Sequence, residues 1–172
     1  EIRNCDWSSD VCSSDLQQRV GLKGRLFWIY KFRSMVVNAD RIGLAITKDF
    51  DPRITKIGRW MRKTKLDELP QLWNILRGDM SFVGPRPEVP KYVARYTPAQ
   101  QRVLDLVPGL TDLATLAFRN EEELLAQAAD TEAFYVDYCV PKKIELNLVY
   151  AEKATFWTDL GIILKTLFGK RS

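Results

Sequence analysis

Thr64-Lys-Leu-Asp67-Glu68-Leu-Pro70-Gln-Leu-Trp73-Asn74-Ile-Leu-Arg77-Gly78-Asp79-Met-Ser81-Phe-Val-Gly84-Pro85-Arg86-Pro87-Glu88 is the stretch that decides the layout of this chain. Pro70 is tolerated only in the first turn of a helix, so the helix through Gln71, Leu72, Trp73, Ile75 and Leu76 is expected to begin near Leu66 or Asp67. The acidic pair Asp67-Glu68 then lies at a helix N-terminus, where free N–H groups and the helix dipole favour an anion beside the carboxylates. Gly78 ends that helix. Gly84-Pro85-Arg86-Pro87 makes a stiff turn that holds one guanidinium in a fixed direction, and a fixed Arg is a good bidentate phosphate ligand. Local chemistry alone also permits an ordinary reading, because Thr64-x-x-Asp67 resembles a helix cap and an acidic pair there often only complements the dipole.

Working outward, two further blocks stand ahead of this one, Lys31-Phe-Arg33-Ser-Met35 and Asp51-Pro-Arg-Ile-Thr-Lys-Ile-Gly58-Arg-Trp-Met-Arg62-Lys. With Leu66-Asp67-Glu68-Leu-Pro-Gln-Leu-Trp-Asn and Gly78-Asp79-Met-Ser-Phe-Val-Gly-Pro85-Arg86-Pro87-Glu88 they resemble the bacterial sugar transferase family, the monotopic phosphoglycosyl transferases, over residues 18–170. The resemblance implies transfer of a sugar-1-phosphate from a nucleotide diphosphate sugar to polyprenyl phosphate at the cytoplasmic face of the bacterial inner membrane, starting cell-surface polysaccharide or glycoconjugate synthesis with Mg²⁺. It implies that Asp67 is the nucleophile of a phosphoglycosyl-enzyme intermediate and Glu68 its dyad partner, with both carboxylates as the metal ligands. Arg86, between Pro85 and Pro87, matches a phosphate contact, and Lys31, Arg33 and Arg62 match basic positions of the same site. The chemistry is consistent, since a carboxylate attacks a phosphoryl group only where cations offset the repulsion between anions.

Pro108-Gly109-Leu110-Thr111-Asp112-Leu113 departs from the family pattern, with Asp112 and Leu113 in place of a glycine and an aromatic residue. Arg119 downstream is kept as a phosphate or nucleotide contact.

The chain has 172 residues, 46% of them hydrophobic, enough for one domain with a core. Its formal charge of +4 is uneven: residues 19–65 carry 13 Lys or Arg against 3 acids, whereas residues 66–172 carry 12 against 15. A basic first half suits anionic lipid headgroups or nucleic acid, or is simply a solvated face. The enzyme reading expects no nucleic-acid partner. The alternative is a non-catalytic basic module on anionic membrane or nucleic acid, but such a module has no use for Asp67 and Glu68, which repel phosphates.

The chain contains no His, so Ser-His-Asp and Cys-His hydrolysis are excluded and any general base is a carboxylate, Lys or Tyr. Residues 1–16 carry an internal echo, Trp-Ser-Ser-Asp then Cys-Ser-Ser-Asp-Leu, resemble translated adapter sequence, and are read as a foreign segment ahead of a catalytic domain at 17–172. Outside them only Cys139 remains, expected to be a packed core residue. No apolar run reaches eighteen residues. Family members carry a re-entrant membrane helix just before the block that opens at Gln18, and that anchor is expected to be missing here.

The expected fold is α+β and mostly helical: a small β element around a strand at 25–33, packed with several short helices, and a C-terminal amphipathic helix. Residues 20–24 read as a turn and residues 36–50 as a loop or short helix. Helices are expected near 55–64, 68–77, 88–95, 98–106, 120–130, 131–139, 142–154 and 156–168. The last can lie at a membrane interface, with Trp157 at headgroup depth and Lys170-Arg171 on anionic lipid, or pack into the core.

Overall fold

The computed structural model describes residues 14–39, 46, 47 and 51–169. It is α+β and mostly helical, as the sequence implies. Strands β1 (Ser14–Val20) and β2 (Leu26–Phe32) form an antiparallel hairpin in which Val20 faces Leu26 and Ser14 faces Phe32. The turn is closed by Lys23 and Gly24 at positive φ. β1 begins at Ser14, so Ser14, Asp15 and Leu16 are paired in the hairpin; Lys170 and Arg171 lie outside the described residues.

Helix α1 (Lys56–Thr64) docks tightly against the segment leaving β2. Thr55 caps it, its Oγ1 accepting from Gly58 N at 2.9 Å, while Thr55 N donates to Ser34 O at 3.1 Å. A Cβ on Gly58 would lie 1.9 Å from Ser34 O, so only glycine allows this approach. Lys65, in the left-handed region at φ 60°, ends α1 and turns the chain into a 3₁₀ turn at Leu66–Glu68.

The expected α-helical start at Leu66 or Asp67 is therefore corrected. Pro70 has no N–H to give the Leu66 carbonyl, so Leu69 N takes it at 3.2 Å in the tighter pattern. Helix α2 follows at Gln71–Leu76.

Two three-residue strands, β3 (Ser81–Val83) and β4 (Gly109–Thr111), pair in parallel, with α3 (Pro90–Val93), α4 (Pro98–Gln101) and a 3₁₀ turn at Arg102–Asp105 between them. Neither strand was expected, since three residues carry too little periodicity to register. The helices expected at 88–95 and 98–106 are correspondingly shorter. The chain continues through α5 (Leu113–Ala117), α6 (Glu121–Gln127), α7 (Thr131–Phe134), a π-helical stretch at Tyr135–Cys139 and α8 (Val140–Glu152). α5 was not expected. The last helix, α9 (Phe156–Phe168), starts on a capping box between Thr155 and Thr158.

One core gathers Tyr92, Val103, Leu125, Tyr135, Cys139, Val140 and Ile144. Cys139 is fully buried, and burial pushes its thiol up to about 11, which suits packing rather than nucleophilic chemistry. A second core joins Val83, Tyr150 and Ile162, with Leu113, Leu116 and Ile163 against them. α9 turns Asp159, Ile162, Ile163 and Thr166 inward: Asp159 accepts from the Tyr150 hydroxyl, and Thr166 Oγ1 bonds Thr111 Oγ1 at 2.7 Å. Its bulkiest side chains point the other way, Trp157 and Phe168 being 76% and 77% exposed. A half-polar stripe thus packs inward, as the core-packing alternative expects, and an apolar face stays outside.

Candidate active site

Asp67 and Glu68 share the 3₁₀ turn but meet different surroundings. Glu68 accepts from the Arg86 guanidinium and has Lys31 Nζ 3.8 Å away. Burial alone would push its carboxyl up, but Arg86, then Lys31 and Lys65, overcome that and hold it well below the usual carboxylate range. Asp67 is buried and its Oδ1 has no hydrogen-bond partner. Burial, and then the Glu68 charge, raise its carboxyl above the ordinary value, opposed by Lys31, Arg62 and Lys65. Two adjacent acids are thereby pushed apart, one tightly compensated and one left bare.

The cations come from three different elements. Lys31 stands on β2, and burial, reinforced by the nearby Arg86 charge, brings its ammonium down to about 7. Arg86 projects from a turn whose flanking Pro85 and Pro87 are buried, while its own side chain remains 39% exposed. Its charge is reinforced by Glu68. Arg62, on the inner face of α1, makes a 2.7 Å ion pair with Glu122 of α6. Arg33 is half-buried just beyond β2.

Arg119 donates to the carbonyls of Lys165 and Gly169 at the C-terminal end of α9, where a cation complements the helix dipole. All nine residues singled out from the sequence, Lys31, Arg33, Arg62, Asp67, Glu68, Pro85, Arg86, Pro87 and Arg119, line one cavity of about 1500 Å³. Asp67, Glu68, Lys31 and Arg86 form its charged centre, whereas Arg119 is anchored to α9.

Several residues that fix this geometry carried no role in the sequence reading. Asn74 is fully buried on α2 and acts as a substitute strand for β2: its Oδ1 accepts from Tyr30 N at 3.1 Å and its Nδ2 donates to Trp28 O at 2.8 Å. This bolts the helix after the dyad onto the strand that carries Lys31. With Gln71, Asn74 forms the buried face of α2, while the apolar Leu72, Trp73 and Leu76 are exposed, so reading the helix by its apolar pattern does not find it.

Glu88 ties the other end of the turn down. Its carbonyl accepts from Val20 N at 2.9 Å and its carboxylate accepts from the Tyr135 hydroxyl, with Arg19 3.7 Å away. Gly84 and Gly109 let the turn lie directly on β4: a Cβ on Gly109 would sit 2.2 Å from Gly84 N. Asp112 accepts from Arg86 N at 3.3 Å, from Thr115 N at 2.6 Å and from Asn147 Nδ2 at 2.8 Å. A buried acid placed by a three-residue strand leaves no local sequence pattern.

The arrangement sets the cations Lys31 and Arg86 against two adjacent carboxylates, of which Asp67 keeps one buried oxygen without a hydrogen-bond partner. The family model described as bacterial sugar transferase matches residues 12–170, and the chain belongs to that family. It is 40% identical over 162 residues to the galactosyl transferase CpsE of Streptococcus agalactiae, covering 88% of this chain and 33% of that protein. It is likewise 40% identical over 164 residues to the undecaprenyl-phosphate galactose phosphotransferase of Salmonella typhimurium, covering 87% and 31%. Identity to the UDP-N-acetylgalactosamine-undecaprenyl-phosphate N-acetylgalactosaminephosphotransferase of Aeromonas hydrophila is 37% over 155 residues, covering 88% and 34%. The chain spans about a third of the length of these relatives.

Proposed function

We propose that this chain is the catalytic domain of a phosphoglycosyl transferase that moves a sugar-1-phosphate from a nucleotide diphosphate sugar to polyprenyl phosphate. The observation that carries the reading is Asp67, a buried carboxylate with an unpartnered oxygen beside a Glu68 already clamped by Arg86 and Lys31. The relatives from Salmonella and Aeromonas, named for undecaprenyl phosphate, point to the same acceptor class.

An Asp67 oxygen attacks the sugar-bearing phosphorus, and the bond from that phosphorus to the bridging oxygen breaks. The nucleoside monophosphate leaves with that oxygen and its electron pair, and the sugar phosphate stays on Asp67. An oxygen of polyprenyl phosphate then attacks the same phosphorus, the acyl phosphate bond breaks, and Asp67 is released as a carboxylate. Arg86 and Lys31 offset the charge on the transferring group's oxygens. Glu68 holds Arg86 by its tip and keeps Lys31 close.

A magnesium ion fits this donor set through Asp67. A hard cation is held by one or two carboxylates with phosphates and waters completing its shell, and Asp67 Oδ1 is an unused buried oxygen, whereas Glu68 is already engaged. When bound, it would neutralise part of the diphosphate's charge. Among the described residues no three His, Cys, Asp or Glu side chains converge, so a cage made of protein alone is not the reading.

The acceptor is a lipid, and the exposed face of α9 suits a membrane surface on the cytoplasmic side. No described helix is long and apolar enough to cross a membrane. Trp157, Leu164, Leu167 and Phe168 on α9 are exposed, as are Trp60 of α1 and Trp73 of α2.

The test is covalent labelling. Incubated with Mg²⁺ and UDP-galactose or UDP-N-acetylgalactosamine radiolabelled in the sugar, the protein is expected to keep label after denaturation and to lose it when polyprenyl phosphate is added. Absence of label with every UDP-sugar tried, together with absence of transfer, overturns the reading.

A further inference from the structure

Arg86 has to be held at its root as well as its tip. Pro85 and Pro87 have no N–H, so the Arg86 amide is the single backbone donor of the Pro85-Arg86-Pro87 segment, and it points at Asp112 Oδ2, 3.3 Å away. Asp112 is 1% exposed and opens α5. As an N-cap it needs only Oδ1, which accepts from Thr115 N at 2.6 Å, a task that Asn, Ser or Thr performs equally well. The second oxygen is what an amide cannot supply: it accepts from both Arg86 N and Asn147 Nδ2, the latter at 2.8 Å. Asn147 is itself buried on α8, and its remaining oxygen has no hydrogen-bond partner, so its side chain is spent on Asp112 alone. Gly84 N to Thr111 O and Gly109 N to Pro85 O, both 3.0 Å, fix the residues on either side and bring Asp112, next along β4, under Arg86.

We infer that Asp112 is a positioning residue of this site: its carboxylate fixes the backbone from which the Arg86 side chain reaches Glu68, and Asn147 holds that carboxylate in place. The inference rests on the role given to Arg86 above. An Asn at 112 that keeps its oxygen on Thr115 N must turn its NH₂ toward two donors, so the Arg86 amide loses its acceptor. Misplacement of a positioned group by about 1 Å costs on the order of 10²-fold in rate.

The experiment compares wild type, Asp112→Asn and the exchange Asp112→Asn/Asn147→Asp in full-length chain labelled with ¹⁵N-arginine. The exchange lets the amide at 112 donate to a carboxylate at 147, restoring that buried pair, yet the Arg86 amide still faces a donor. Asp112→Asn is expected to shift and broaden the Arg86 backbone and Nε resonances, to leave those of Arg62 in place, and to lower kcat for UDP-sugar transfer by about 10- to 100-fold with KM within about threefold. The exchange should recover the melting temperature but neither the Arg86 resonances nor kcat. Recovery of kcat together with melting temperature, or unshifted Arg86 resonances in the single variant, overturns the inference and leaves Asp112 as a helix cap. If Asp112→Asn does not fold, the exchange variant decides alone. If wild type shows no label or transfer, the functional reading fails separately, and the Arg86 resonances still decide what Asp112 does.

Discussion

Arg86 lies between two buried carboxylate groups that the fold treats in opposite ways. At its tip the Asp67-Glu68 pair is left unbalanced, Glu68 clamped by cations and Asp67 with a buried oxygen that nothing satisfies. At its root Asp112 has both oxygens filled by three N–H groups. A buried polar atom without a partner costs on the order of 1–3 kcal/mol; Asp67 Oδ1 is such an atom, and Asn147 Oδ1 beside Asp112 is another. A satisfied carboxylate holds geometry, and an unsatisfied one is available to a ligand.

The sharpest way to break this contrast is Asp67→Asn, which keeps size and removes the attacking charge. Covalent labelling and transfer should fall by roughly 10³-fold or more while the circular dichroism spectrum is unchanged. A tenth of wild-type turnover surviving would refute Asp67 as nucleophile.

Arg86→Lys comes next. It keeps the charge but loses the two-pronged geometry that reaches Glu68, and kcat is expected to fall about 10²-fold in steady-state assays. An unaltered rate would show that Arg86 only braces its turn.

The pH profile of kcat/KM tests both acids and Lys31 at once. The raised carboxyl of Asp67 protonates earlier than a free Asp as pH falls, setting the acid limb. Lys31 loses its charge as pH rises through about 7, setting an alkaline limb of about tenfold per pH unit at most. Lys31→Arg should abolish the alkaline limb. Stability moves the other way: between about 7 and 10.5 the unfolded chain holds the Lys31 proton and the folded chain does not, so its contribution to stability rises with pH. Urea titrations at pH 6.5 and 9 compare directly with the rate profile.

The smallest catalytic effect is expected from Asn147→Ala. Asp112 keeps Thr115 N and Arg86 N, so kcat should drop only about threefold, while denaturant unfolding shows a loss of roughly 1–2 kcal/mol from the broken buried pair. A loss of activity as large as that of Asp112→Asn would mean that Asn147 is the main support of the turn.

The charged centre was largely legible in the sequence because its residues lie in blocks between Lys31 and Glu88, held by local devices: a threonine cap, a proline in the turn, a glycine at each close approach. Glu68, Lys31 and Arg86 do converge, with Asp67 beside Glu68 in the same turn. What misled was the helix start at Asp67, where the missing N–H of Pro70 produced a 3₁₀ turn. Residues 120–130 read only as a helix, yet Glu122 there pairs with Arg62. Arg119, read as a phosphate or nucleotide contact, lines the cavity and also donates to the end of α9, a contact that no local pattern signals.

By itself the sequence determined the α+β class, a turn at 20–24, the adjacent acids Asp67 and Glu68 and the stiff Pro-Arg-Pro turn, since each follows from backbone limits and charge within a few neighbouring residues. Tertiary structure alone decided which carboxylate is bare and which is balanced. Those assignments depend on contacts of Asp112, Asn147 and Asn74 that span 26 to 46 residues of the chain. Burial and charge act through space, and no local pattern records which distant donor a buried oxygen will meet.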